Sequence, residues 1–387
     1  MFKICFVTTV SITLKSFVIE LAKQMHETGD FEIHFVCDYD ADFAASLPKY
    51  INYHPIPMKR GISFDGLKAI CALKKLFKKE KFDLVQYSTP NASCYASIAA
   101  KMAKIPARLY CQWGIAYVGF SGLKRKIFKF IEKWVCKNST HIEPDSFGNL
   151  NFSIKEGLYP PEKGAVIWNG SSCGIDLKKF DISKKVAFRE EIRTKYKIPA
   201  DAMVYMFVGR MNRDKGINEL FEATKKIMDQ KEDVYLLTVG DFENEQLLNP
   251  ELLNWAQNAP RVIYCGFTQE VQKYLAATDV FVLPSYREGF PTSVLEAQAM
   301  GIPVVVTNIP GSINAMLKNE TGLAVPKGDS AALCEAMLYL YEKSDVAIKY
   351  GEKGLEFSTT HFNQEELFKH IILDRQNILK TARNNNG

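Results

Sequence analysis

Short, almost purely apolar runs recur along this chain, each followed by an amphipathic helical stretch. This rhythm limits the fold more than any other feature. Runs rich in β-branched and aromatic residues occupy 3–9, 31–37, 50–56, 82–88, 107–112, 140–143 and 165–168, with helical periodicity near 14–28, 64–80, 91–104 and 121–138. Strands whose apolar residues do not alternate with polar ones are buried on both faces, as in a parallel sheet covered by crossover helices. The stretch Asn169-Gly170-Ser171-Ser172-Cys173-Gly174-Ile175-Asp176 interrupts the pattern with turn formers. The rhythm then restarts, with strands expected at 203–208, 234–239, 261–265, 280–284 and 303–307. The expectation is an α/β protein with two doubly wound domains, 1–168 and 183–362, a linker at 169–182 and a C-terminal segment at 363–387. Ligands of such sheets bind outside the carboxyl ends of the strands, so two facing domains would enclose a deep cleft.

A chain of 387 residues exceeds a single ordinary core. Its 47% hydrophobic and 24% charged residues exclude a disordered protein, apart from the polar tail Arg383-Asn384-Asn385-Asn386-Gly387. No apolar run is long enough to span a bilayer, and the N-terminus reads as a strand rather than a signal peptide, so a cytoplasmic location is expected. The nine cysteines are dispersed without a C-x-x-C pair, which suits reduced thiols better than a disulfide framework or a zinc site. Charge is uneven: residues 1–165 carry 23 Lys and Arg against 15 Asp and Glu. The first half is therefore expected to face something anionic.

The most informative stretch is Ser285-Tyr286-Arg287-Glu288-Gly289-Phe290-Pro291-Thr292, which continues into a helix containing Glu296. It follows a strand, and Pro291 suits the first position of a helix. Glu288 would lie in the loop and Glu296 within the helix, up to about 12 Å away, which is the reach from a sugar across a diphosphate to a ribose. Amides from Gly289 to Thr292 and the helix N-terminus offer a seat for phosphate oxygens. Glu288 would accept hydrogen bonds from sugar hydroxyls and Glu296 from a ribose diol.

A second stretch, Phe207-Val208-Gly209-Arg210-Met211-Asn212-Arg213-Asp214-Lys215-Gly216, begins at the end of the second domain's first strand. Gly209 permits close backbone approach, and Arg210 and Lys215 supply two cations. Arginine grips phosphate bidentately and lysine adds a compact charge. Fixed cations stabilise the charge that builds on a departing nucleotide diphosphate.

The E-x7-E pair Glu288 and Glu296, with Gly209-Arg210 and Lys215-Gly216 upstream, resembles family 4 of the retaining glycosyltransferases with the GT-B fold, two Rossmann-like domains facing across a cleft. The stretch from Val166 to Asp176 resembles members that build bacterial capsule, O-antigen or exopolysaccharide. The resemblance implies transfer of a sugar from a UDP- or GDP-sugar to a hydroxyl of a glycan. It gives Arg210 and Lys215 to the donor diphosphate, Glu288 to the donor sugar and Glu296 to the ribose. Phe267 and Thr268 would lie near the base, and the C-terminal helix would cross back to the first domain. No cofactor is implied, the nucleotide-sugar being a substrate.

Two departures affect the first domain. Relatives carry a Gly-Gly loop after the first strand, whereas here Ser11, Thr13 and Lys15 occupy a segment without glycine. A His-Gly pair of relatives is replaced by Trp113-Gly114, preceded by Gln112. Trp113 either stacks on a sugar or belongs to the core. No general base is needed where the departing phosphate oxygen takes the acceptor's proton. The acidic loop Asp38-Tyr39-Asp40-Ala41-Asp42 reads as solvated rather than metal-binding, and no required metal is expected.

The segments 67–81 and 123–137 are basic and amphipathic, the second with Phe128 and Trp134. Such helices lie on anionic membranes, which fits a lipid-linked acceptor better than nucleic acid does. Rival readings are a nucleotide-sugar 2-epimerase, which would convert its donor without an acceptor, and a non-catalytic nucleotide-sugar or glycan-binding subunit. A dinucleotide-dependent dehydrogenase lacks its G-x-G-x-x-G loop here.

Overall fold

The computed structural model describes residues 1–58 and 65–384. Residue 64, at the start of one expected helix, and residues 385–387 of the polar tail lie outside the described residues. The chain divides into two units, Met1–Cys173 with Glu365–Gly387, and Gly174–Gln364.

In the first unit β1 (Phe2–Val7), β2 (Phe31–Cys37), β3 (Ile51–Pro55), β4 (Leu84–Tyr87), β5 (Ala107–Gln112) and β6 (His141–Pro144) form a parallel sheet in the order β3-β2-β1-β4-β5-β6. Its helices are α1 (Ser11–Phe17), α2 (Ile19–Glu27), α3 (Ala41–Ser46), α4 (Asp65–Glu80), α5 (Pro90–Met102), α6 (Gly122–Asn138) and α7 (Phe147–Lys155). The second sheet comprises β7 (Met203–Val208), β8 (Val234–Val239), β9 (Val262–Tyr264), β10 (Val280–Leu283), β11 (Val304–Thr307) and β12 (Gly322–Val325), in the order β12-β11-β10-β7-β8-β9. Around it lie α8 (Lys185–Lys195), α9 (Ile217–Met228), α10 (Pro250–Asn258), α11 (Val271–Ala276), α12 (Thr292–Ala299), α13 (Ser330–Glu342) and α14 (Ser344–His361). The last helix, α15 (Gln364–Asn384), belongs to the first unit apart from its first residue.

Strand residues alternate between two covered faces. Along β1, Ile4 and Phe6 enter one core with Ile33 and Phe35, while Cys5 and Val7 enter the other with Val36. Helix α15 adds Leu367, Phe368, Ile371, Ile378 and Leu379 to the first of these cores. It also buries Arg375, a charge that needs partners in a low-dielectric interior. Arg375 pairs with Glu143 at 2.5 Å and Asp374 at 2.6 Å and donates from Nε to Gln86 Oε1 at 3.0 Å.

Three local expectations differ from the structure. The run at 165–168 is not a strand: a single bridge joins Gly164 to Ile142, and Trp168 then turns to a φ of 51°. The helix expected at 14–28 is two helices, separated where Val18 leaves helical geometry. β12 was absent from the expected strands; it opens at Gly322, where a Cβ would stand 2.0 Å from Val304 O.

Both sheets reverse their strand order once, between β1 and β4 and between β7 and β10. Loops diverge at such a point and leave a crevice beyond the carboxyl ends of the strands.

Candidate functional site

The loops after β7 and β10 carry the charged residues of the candidate donor site, and glycine contacts set their spacing. Gly216 turns at φ 72° directly against β10's exit, where a Cβ would stand 2.1 Å from Pro284 O. No larger residue allows that approach. The two loops then join side by side: Tyr286 N donates to Asp214 O at 2.8 Å, and the Arg287 guanidinium donates to Asp214 Oδ2 at 2.9 and 3.1 Å. The outcome is a direct ion pair, Lys215 Nζ to Glu288 Oε1 at 2.6 Å, with side chains only 21% and 10% exposed. A pair this dry is stronger than one in water, and removing either partner strands the other.

Arg210 leaves the same loop, yet its side chain is 58% exposed and is held by Glu243 at 2.5 Å. Glu243 also accepts from Asn212 Nδ2 at 2.8 Å. Gly209, with φ 149°, anchors the start of this loop by donating to Val239 O, and Gly240 in turn donates to Gly266 O. The exits of β7, β8 and β9 are thus tied together. Beyond β9, Phe267 is exposed and the Thr268 hydroxyl accepts from Glu270 N at 3.0 Å.

Helix α12 starts at Thr292, with Pro291 as its N-cap and no capping side chain. The cap residue therefore brings no side-chain oxygen to the positive end of the helix. Gly289 is held in place by Gly311, whose φ of 87° lets the two backbones meet. Glu296 lies within α12, partly buried, and burial pushes its carboxyl up to about 7 while the charge of Lys179 acts in the opposite sense. Phe290 is buried and packs on Phe362 at 5.2 Å between ring centres, so its side chain serves the core and only its backbone belongs to the stretch expected to seat phosphate oxygens. Packing on Phe362, the C-cap of α14, takes this aromatic ring out of water.

In the first unit the expected acceptor-side residues differ in exposure. Ser11 Oγ donates to Asp40 Oδ2 at 2.5 Å, and Asp40 also caps α3 by accepting from Phe43 N. The acidic loop therefore has a structural task at Asp40. Thr13 is partly buried on α1, and Lys15 is exposed near Asp40, whose carboxyl is lowered first by the Ser11 hydrogen bond. Gln112 is a correction: it is fully buried and its amide is committed at both ends. Nε2 donates to Glu132 Oε1 at 2.6 Å, and Oε1 accepts from Ser153 at 2.9 Å and Tyr159 at 3.3 Å. Trp113 is partly buried and packs on Phe17 at 5.5 Å between ring centres. Sequence reasoning missed Glu243 and Glu132 because their partners come from other elements. It also missed Thr89, a β-branched residue at φ 67° held by Thr9 through a 2.8 Å hydroxyl pair at the β1–β4 reversal. Among the described residues no group of three metal-ligating side chains is present.

Residues 3–146 match the family model described as glycosyl transferase 4-like, and 202–343 the model described as glycosyl transferases group 1. The chain is 30% identical over 331 residues to the capsular polysaccharide biosynthesis glycosyltransferase CapM of Staphylococcus aureus, across 85% of this chain and 86% of that one. This chain belongs to the family 4 glycosyltransferases. A second relative of the glycosyltransferase, from Escherichia coli, is described as a UDP-Gal:alpha-D-GlcNAc-diphosphoundecaprenol alpha-1,3-galactosyltransferase. It is 30% identical over 321 residues, 80% of this chain and 79% of the relative. The fold is GT-B, shared with Anabaena HepE in complex with UDP-glucose at a TM-score of 0.78 and 17% identity, over 97% of this chain and all of that one.

Proposed function

We propose that this glycosyltransferase moves a sugar from a UDP- or GDP-sugar, with retention and without a metal, to a hydroxyl of a lipid-linked glycan in cell-surface polysaccharide assembly. The observation that carries the donor assignment is the Lys215–Glu288 pair at the β7–β10 reversal. Lys215 and Arg210 are the cations for the diphosphate, Glu288 accepts from sugar hydroxyls, and Glu296 accepts from the ribose diol. Gly209, Gly289, Phe290, Pro291 and Thr292 supply close backbone, and Phe267 and Thr268 border the base. The sugar–phosphate bond breaks, the acceptor oxygen bonds to the same face of the anomeric carbon, and its proton passes to the departing phosphate oxygen. Fixed cations supply most of the rate because negative charge grows there in the transition state. The names of the relatives, one using UDP-Gal and another a diphospho-undecaprenol acceptor carrying N,N'-diacetylbacillosamine, support the donor and acceptor classes.

We also place the protein at the cytoplasmic face of an anionic membrane, through α6. That helix buries Val135 and Cys136 and leaves Leu123, Ile127, Phe130 and Trp134 exposed, a spacing that lines up one outward stripe. Lys124, Lys126, Lys133 and Lys137 stand exposed beside it. Apolar side chains flanked by lysines suit an anionic bilayer surface. Helix α4 differs, because its Leu73 and Phe77 are buried.

The test is transfer to a diphospho-polyprenyl sugar acceptor from UDP- and GDP-sugars, with and without EDTA, with the product's anomeric configuration read by NMR. An α-linked product from an α-donor, unaffected by EDTA, is expected. Inversion, loss with EDTA, or a new sugar nucleotide formed without acceptor would each overturn part of the reading.

A further inference from the structure

A cavity of about 200 Å³ lies within the first unit among α4, α5 and α6. Leu67 and Ile70 of α4 and Phe128, Ile131 and Val135 of α6 form its apolar walls, and Leu67 is also exposed. Asn91 and Ala116, which follow β4 and β5, place its other end at the carboxyl edge of the sheet. That is the edge where ligands of doubly wound sheets bind. An apolar cavity of about 150 Å³ holds a benzene ring, so this one takes a short hydrocarbon segment but not a hydrated sugar.

The polar groups of the lining support a ligand rather than plain packing. Among the described residues the Ser93 hydroxyl is buried without a partner, a cost that a core formed only of side chains avoids. Glu132 accepts from Gln112 and, at 3.0 Å, from Tyr110, and burial raises its carboxyl. Thr89, immediately before Pro90 at the same edge, holds a backbone conformation rare for a β-branched residue. Strain of that kind gathers at functional sites.

Two features select the occupant. The inward face of α6 forms a wall of the cavity, while its outward face carries the apolar stripe and lysines assigned above to the membrane, so one helix separates bilayer and cavity. The exposed Lys68 beside Leu67 and Lys124 on α6 suit a phosphate-bearing headgroup. We propose that the cavity binds a segment of the polyisoprenyl chain of a lipid-diphosphate acceptor, drawn from the membrane on which α6 rests. This inference rests on the acceptor class proposed above.

Cys94 lines the cavity, whereas Cys71 of α4 is exposed and does not line it. Alkylation of the full chain by N-ethylmaleimide, read by mass spectrometry, reports on both thiols. Farnesyl phosphate at four times its Kd is expected to slow Cys94 about fivefold, with Cys71 unchanged and inorganic phosphate without effect. Equal protection of both thiols, or none at Cys94, overturns the site, and equal protection by dodecyl phosphate overturns the isoprenoid assignment. Ile70→Phe fills the same space and is expected to abolish the protection while UDP still raises the melting temperature. Should that variant not fold, the wild-type footprint decides alone. Protection of Cys94 without any UDP effect leaves the cavity standing and removes the donor reading; the reverse removes the cavity only.

Discussion

Lys215 and Glu288, 73 positions apart, meet at 2.6 Å because the turn at Gly216 lies against the exit of β10. Each compensates the other's charge, and a donor's diphosphate and sugar hydroxyls would divide the pair between them. Lys215→Ala is expected to lower kcat/KM by about 10²–10³-fold, and Glu288→Gln by a comparable factor. The double variant should lose far less than the product of the two, since neighbours acting as a unit are not additive. Steady-state kinetics on the four proteins checks this.

Glu243, itself partly buried, neutralises the exposed guanidinium of Arg210. Exposed pairs contribute little to stability, about 0–1 kcal/mol. Glu243→Gln is therefore expected to leave the thermal melt nearly unchanged and to tighten UDP binding, because a negative charge beside the diphosphate is gone. Calorimetric titration with UDP gives the sign.

The Glu296 carboxyl, raised to about 7 in the folded chain from its ordinary value of 4.5, binds a proton that the unfolded chain has released between those values. Its contribution to stability is thus fully present below about pH 4.5 and is lost as pH rises through 7. Glu296→Gln is expected to melt higher than wild type at pH 8 and to show no such advantage near pH 4.5. The same variant should bind UDP more weakly at pH 8, where the carboxylate is the better acceptor. Melting curves with and without UDP at the two pH values separate these effects.

Phe290 belongs to the core although it sits within the donor motif. Phe290→Ala is expected to destabilise the fold by about 3–5 kcal/mol. The loss should show in denaturant midpoints, while the Kd for UDP of the folded fraction stays near wild type.

The two sheets were readable from sequence because their strands are buried on both faces and so stay largely apolar, as in 203–208. β12 escaped because four residues beginning with Gly322 give too short a signal, and 165–168 misled because strand-like residues run into a positive φ at Trp168. In the candidate site, charge type and spacing marked the loops, but the partners inside them are tertiary. Nothing in the pattern around Glu243 connects it to Arg210, 33 residues earlier. Gln112 illustrates the converse: a polar residue at a strand's end looks available to a ligand until Ser153, Tyr159 and Glu132 close around its amide.

The most direct measurement is UDP affinity in wild type and Lys215→Met, by calorimetry on the full chain with circular dichroism as the control for folding. A weakening of at least about tenfold, equivalent to 1.4 kcal/mol, is expected with an unchanged spectrum. Equal affinity in the two proteins would contradict the placement of the donor diphosphate at the β7–β10 reversal.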